Sequence, residues 1–284
     1  MKLQDAFRQC VKILQEGKFA DLARNDAALI VSEVTSIKHN QILFSDYILN
    51  ESKQKKIFKW SEKRANGEPL QYLFGHTFFR NLNLDVASGV LIPRPETEIL
   101  CQYVIDKVEK NGTVLDIGTG SGVIALSIAT ERNDCRITAV EKSSKAIIIA
   151  KQNFKKYQSQ CYNNECINLI KSDLFSALDN NQKFSAITAN LPYVTAEEYA
   201  ILPFDVKNYE PIEALVADDE GLALIKRTIL EAPSHLKKNG FIVFEFGDLQ
   251  TDAVYGLLKS SNKYQKIEIF SDLNNIERFI AAYV

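Results

Sequence analysis

The run Val114-Leu115-Asp116-Ile117-Gly118-Thr119-Gly120-Ser121-Gly122 decides the fold. Apolar Val114 and Leu115 lead to one acid, Asp116, and three glycines follow at alternate positions. Glycine is needed where φ is positive or where a ligand approaches the backbone closely. A helix opening near Ser121 offers free N–H groups to such a ligand. The spacing is tighter than Gly-x-Gly-x-x-Gly, because the third glycine arrives one residue early. That compressed turn suits a cofactor without a pyrophosphate. Glu141 ends the next apolar run, where a carboxylate can accept from both hydroxyls of a ribose. The pair points to S-adenosylmethionine, held by Gly118, Thr119, Gly120, Ser121, Gly122 and Glu141. A glycine-rich turn in some other α/β enzyme accounts less well for the position of Glu141.

Around this run the chain alternates. Strands are predicted over 113–117, 136–141, 167–172, 184–189 and 241–246, and helices over 121–131, 143–157, 221–231 and 250–259. Strand-helix alternation implies a parallel sheet covered on both faces. Two late strands, 266–270 and 277–282, have no helical pattern between them and are expected to pair antiparallel at the edge.

Upstream, Leu3, Phe7, Cys10, Val11 and Leu14 recur at helical spacing, and further helices are expected from Asp21, through Ile42, Tyr47 and Ile48, and over 53–65. Asn66-Gly67-Glu68-Pro69 breaks the pattern. Alternation over 77–86, with a turn at Arg80-Asn81, predicts a β-hairpin. The expected organisation is a helical domain over 1–70, a hairpin linker over 71–92 and an α/β domain over 93–284.

The chain has 284 residues, of which 46% are hydrophobic and 25% charged, with a formal net charge of −2. That balance argues against coating nucleic acid through bulk positive charge. The five cysteines form no Cys-x-x-Cys and read as reduced thiols. No cysteine or histidine sits at metal-ligand spacing, so no metal is expected. The opening Met1-Lys2-Leu3-Gln4-Asp5 lacks an apolar stretch, and no run suits a membrane span, so a cytoplasmic protein is expected.

A second motif, Asn190-Leu191-Pro192-Tyr193, follows the strand at 184–189. In open parallel sheets, ligands sit beyond the carboxyl ends of the strands. An amide or aromatic amine nitrogen is a poor nucleophile because its lone pair is delocalised. Two acceptors can grip both N–H bonds and turn the lone pair outward. Asn190 Oδ1 supplies one and the Leu191 carbonyl the second, while Pro192 stiffens the turn. The Tyr193 ring can stack on the planar group. Such acceptors gain strength as positive charge develops on nitrogen.

At this point the chain resembles the bacterial protein-(glutamine-N5) methyltransferases of peptide chain release factors. The resemblance rests on Gly67-Glu68-Pro69-Leu70-Gln71-Tyr72-Leu73-Phe74-Gly75, Leu91-Ile92-Pro93-Arg94-Pro95-Glu96-Thr97-Glu98, both loops above, and Tyr209-Glu210-Pro211. It implies a seven-stranded S-adenosylmethionine-dependent, Rossmann-like α/β domain. It also implies an N-terminal helical bundle that docks the substrate, and methylation of the glutamine in the Gly-Gly-Gln loop of class I release factors. It further implies Asp173 and Leu174 beside the adenine, with Asn190 touching the cofactor. The sequence leaves the oligomeric state open, with a monomer favoured. The family usually reads Asn-Pro-Pro-Tyr where this chain has Leu191, which keeps the carbonyl and gives up some stiffness. Pro95 with Glu96 and Glu98 also reads as an ordinary helix start, which leaves Arg94 unexplained. A ribosomal-protein glutamine is an alternative substrate. An adenine N6 is a more distant one, disfavoured by the charge and by about 110 residues preceding Asp116.

Overall fold

The computed structural model describes residues 1–161 and 167–284. It divides into two compact units, Met1–Gly75 with Leu202–Tyr209, and His76–Ile201 with Glu210–Val284.

The first unit is helical. Helices α1 (Leu3–Gln15), α2 (Ala23–Thr35), α3 (Glu51–Ala65) and α4 (Leu70–Phe74) surround one apolar cluster. α1 buries Leu3, Phe7, Cys10 and Leu14, the helical stripe visible in the sequence. Asn50 caps α3, its Oδ1 accepting from Lys53 N at 2.8 Å. Inside this unit Arg64 Nε donates to Asp26 Oδ2 at 2.7 Å, both side chains being buried. The expected helix through Ile42, Tyr47 and Ile48 does not form. His39–Phe44 is 3₁₀, and beyond it Leu49 N donates to Met1 O while Leu3 N donates to Tyr47 O. Pairing with the chain start satisfies that backbone in an extended form instead.

The second unit contains the hairpin β1 (His76–Phe79) and β2 (Leu82–Asp85), turned at Arg80 with φ 49°. Its main sheet comprises β3 (Thr113–Ile117), β4 (Arg136–Glu141), β5 (Ile167–Lys171), β6 (Phe184–Asn190), β7 (Leu236–Glu245), β8 (Lys266–Ser271) and β9 (Glu277–Tyr283). Among the described residues the seven strands lie in the order β5-β4-β3-β6-β7-β9-β8. β9 runs antiparallel to both its neighbours and the other pairs are parallel. Helices α5 (Thr97–Lys107), α6 (Val123–Glu131) and α7 (Ser144–Tyr157) pack on one face with Val114 and Ala139. Past β6 come α8 (Ala196–Ile201) and α9 (Phe204–Tyr209), the latter in the first unit, while α10 (Ala223–Glu231) and α11 (Thr251–Ser260) pack on the other face with Leu115 and Ile117. β7 begins earlier than expected because its first residues, Leu236-Lys237-Lys238-Asn239-Gly240, read as a polar turn.

The chain order reverses at β3, which has β4 on one side and β6 on the other. Such a switch point opens a crevice at the carboxyl ends of the strands. Ile117 pairs with Ala189, so the glycine loop and Asn190 leave adjacent strands at the same end. Among the described residues no helix is long and apolar enough to cross a membrane. Cys10, Cys101 and Cys135 are free and buried. Cys161 departs from the expectation of thiols, being disulfide-bonded; Cys166 lies outside the described residues.

Candidate active site

The glycine loop is pinned from below by Asp116, which is fully buried in β3. Its Oδ2 accepts from Thr119 Oγ1 at 2.5 Å and from Ala125 N at 3.2 Å, and its Oδ1 accepts from Thr188 Oγ1 at 2.9 Å. Burial pushes this carboxyl up to about 6, against those hydrogen bonds. Gly118 N and Thr119 N both donate to Val140 O, at 2.9 and 3.1 Å. At Gly120, with φ 57°, a Cβ would meet only Gly118 O, at 4.0 Å. Gly122, at φ 86°, is required by packing, since a Cβ there would lie 2.3 Å from Phe154 Cε1 in α7. Gly122→Ala is therefore expected to lose about 2–3 kcal/mol of stability through overpacking and left-handed strain, seen as a lower Tm.

Glu141 closes β4. Its Oε2 accepts from Gly120 N at 2.9 Å and its Oε1 from Ser143 N at 2.7 Å. Two backbone donors thus fix this carboxylate against the loop.

A cavity of about 280 Å³ brings the two motifs together. Gly118, Gly120 and Glu141 line it, with Asn190 and Pro192 from the second motif and Leu91 and Ala214 adding apolar wall. A glycine cradle beside a fixed carboxylate, with apolar surface opposite, fits a nucleoside carrying an alkyl chain. Thr119, Ser121 and Gly122 form the loop without bordering this cavity. Neither Asp173 nor Leu174 borders it. Asp173 pairs with Lys142 at 2.9 Å and Arg227 at 3.2 Å, cations that hold its carboxyl below its usual range. Leu174 is buried in the core, at φ 50°.

Asn190 ends β6, and its Nδ2 donates to Thr97 Oγ1 at 3.1 Å. Thr97 Oγ1 in turn donates to Glu245 Oε2 at 2.7 Å. Glu245 closes β7 and is buried, which pushes its carboxyl up to about 7. The sequence reading missed both Thr97 and Glu245. Leu191 turns its side chain into the core, where its Cδ2 lies 3.1 Å from a Cβ built at Gly118. This packing ties the Asn190 loop to the glycine loop beside it. Tyr193 rests partly buried on the same core, and burial raises its hydroxyl. Gln250 Nε2 donates to Tyr193 O at 3.0 Å, and Val194 N donates to Leu215 O at 2.9 Å, holding the loop along its length.

A smaller cavity of about 40 Å³ flanks Asn190 and takes in Arg94, Tyr193 and Glu245. Arg94, unexplained by a helix start, binds Glu210: its Nη2 lies 2.6 Å from Glu210 Oε1. Glu210 Oε2 accepts from Ile92 N at 3.1 Å. Tyr209-Glu210-Pro211 is thus more than a turn, since its buried acid anchors the segment through Arg94.

Residues 5–75 match the PrmC N-terminal domain, and residues 76–202 match the methyltransferase small domain. The release factor glutamine methyltransferase of Thermodesulfovibrio yellowstonii is 34% identical, over 98% of this chain and 96% of that protein. That of Salmonella typhimurium is 33% identical, over 98% of this chain and 97% of that one. In fold, the chain is similar to the crystal structure of a methyltransferase from Pyrococcus furiosus. That match has a TM-score of 0.52 and 18% identity, over 82% of this chain and 98% of the other.

Proposed function

Because the chain belongs to the release factor glutamine methyltransferase family, we propose that it methylates the N5 amide nitrogen of the Gly-Gly-Gln glutamine in class I peptide chain release factors. One observation carries this reading: Asn190 and Gly118 leave paired strands side by side and line one cavity. S-adenosylmethionine, when bound, supplies an electrophilic methyl group. Gly118, Thr119, Gly120, Ser121 and Gly122 would hold it through the loop, and Glu141 through the ribose hydroxyls. Asp173 and Leu174 do not border the cavity, and no contact with the cofactor is assigned to them.

The chain's own residues act on the glutamine. Asn190 Oδ1 accepts one amide N–H and the Leu191 carbonyl the other, so the nitrogen lone pair faces the cavity. Pro192 limits the turn, and Tyr193 packs against the flat amide. As the amide nitrogen gains positive charge, both acceptors bind its hydrogens more strongly than in the ground state. Water takes the released proton, so no general base is needed. The helical unit over 1–75 is the part assigned to grip the release factor.

Two expectations follow. Labelled methyl groups should pass from S-adenosylmethionine to a purified release factor and not to bare RNA or DNA; labelling of nucleic acid alone would overturn the reading. Glu141→Ala should weaken S-adenosylmethionine binding about 30-fold by calorimetry, the loss of roughly 2 kcal/mol of charge-assisted hydrogen bonding. Unchanged affinity would remove Glu141 from the cofactor site.

A further inference from the structure

A carboxamide is ambiguous: rotated by half a turn, it offers donors where it offered an acceptor. Turned wrongly, Asn190 would point an NH2 group at the NH2 of its substrate. Thr97 alone does not prevent this, because a hydroxyl can accept from Asn190 Nδ2 or donate to Asn190 Oδ1. The direction is set one step further back. Thr97 Oγ1 spends its single hydrogen on Glu245 Oε2 at 2.7 Å, so it presents a lone pair to Asn190 Nδ2 at 3.1 Å. A carboxylate can only accept, so every bond in the set runs toward it.

We propose that Glu245 and Thr97 are positioning residues that fix the direction of a hydrogen-bond chain, and thereby turn Asn190 Oδ1 toward the substrate amide. The proposal rests on the methyl-transfer reading above. Thr97 and Glu245 are both 2% exposed, so water does not compete for these bonds. They come from α5 and from the end of β7, elements that hold them without help from a mobile loop.

The chain reverses if Glu245 gains a proton. A neutral carboxyl can donate to Thr97 Oγ1, whose hydrogen is then free for Asn190 Oδ1. The groups facing Glu245 are Glu96 and Cys101 at α5, Tyr193 in the loop after β6, and Arg278 on β9. Burial and Glu96 raise its proton affinity, while Thr97, Asn190 and Arg278 lower it, leaving its titration near 7. Turnover should therefore rise with pH through neutrality.

The test uses the full chain with a release factor. It compares Thr97→Val, Thr97→Ser and Glu245→Gln with Asn190→Ala, reading kcat, KM, S-adenosylmethionine affinity and pH profile. Thr97→Val keeps shape and removes the acceptor. Its kcat should fall about tenfold or more, with KM and cofactor affinity within about twofold, as for a misoriented contact. Thr97→Ser should restore most of the loss. In Glu245→Gln the side chain can satisfy Thr97 in either sense, so kcat should fall and the acid limb near pH 7 should vanish. The intact protein and Thr97→Ser should both show that limb. If Asn190→Ala is crippled while Thr97→Val keeps normal kcat, or if Thr97→Ser is as impaired as Thr97→Val, the chain of bonds has no positioning role. If Asn190→Ala itself turns over normally, the reading of Asn190 fails first and this proposal with it.

Discussion

Asn190→Ala should cut turnover on a release factor by about 100-fold or more while leaving S-adenosylmethionine affinity nearly unchanged. The size follows from removing one preorganised polar contact that strengthens as charge develops, about 2.7 kcal/mol or more of transition-state stabilisation. The selectivity follows from the layout. Glu141 and the glycine loop hang on β3 and β4, and their own bonds to Val140 and Ser143 do not involve Asn190. Asn190 is only partly buried at the end of β6, so truncation should not unfold the domain. Steady-state kinetics with calorimetry on one preparation separates the effects. A mutant with near-normal kcat would take Asn190 out of the mechanism.

Asp116→Ala should be the most damaging change to the cofactor loop. It strands Thr119 Oγ1 and Ala125 N, and it leaves Thr188 Oγ1 with only a long 3.4 Å bond to Leu115 O. Each stranded donor costs about 1–3 kcal/mol. Against that stands relief from burying a charge, because the carboxyl titrates near 6 instead of 3.8, about 3 kcal/mol at neutral pH. The net loss should be about 2–4 kcal/mol at pH 7, together with loss of measurable S-adenosylmethionine binding. The pH dependence has a definite sign. The folded carboxyl binds its proton more tightly than the unfolded one, so Asp116 contributes more stability below about pH 4 and loses it as pH rises through about 6. The gap between wild type and Asp116→Ala should therefore widen on acidification, as read by denaturant unfolding at several pH values. A gap that narrows would contradict the assigned direction.

Much of the fold is legible because buried parallel strands are short apolar runs, and β4 and β6 end on polar residues, Glu141 and Asn190, at the crevice. The final antiparallel pair is legible because no helical period separates 266–270 from 277–282. Where the sequence misleads, a partner distant in the chain has decided. Residues 47–49 bond to the chain start, and Arg94 finds Glu210 after β6. Thr97 hides inside a run that already makes sense as a helix start. Glu245 left a signal: an acid at the end of the apolar run Phe241–Phe246 needs a buried partner. Pairing of β3 with β6 brings Gly118 beside Asn190, and no local pattern in either motif reveals that contact.

The most direct measurement is intact-mass analysis of a release factor before and after incubation with the full chain and S-adenosylmethionine, followed by peptide mapping. The expected result is a gain of one methyl group on the side-chain nitrogen of the Gly-Gly-Gln glutamine, absent with Asn190→Ala. An unchanged mass, or a methyl group mapped to any other residue, would contradict the account.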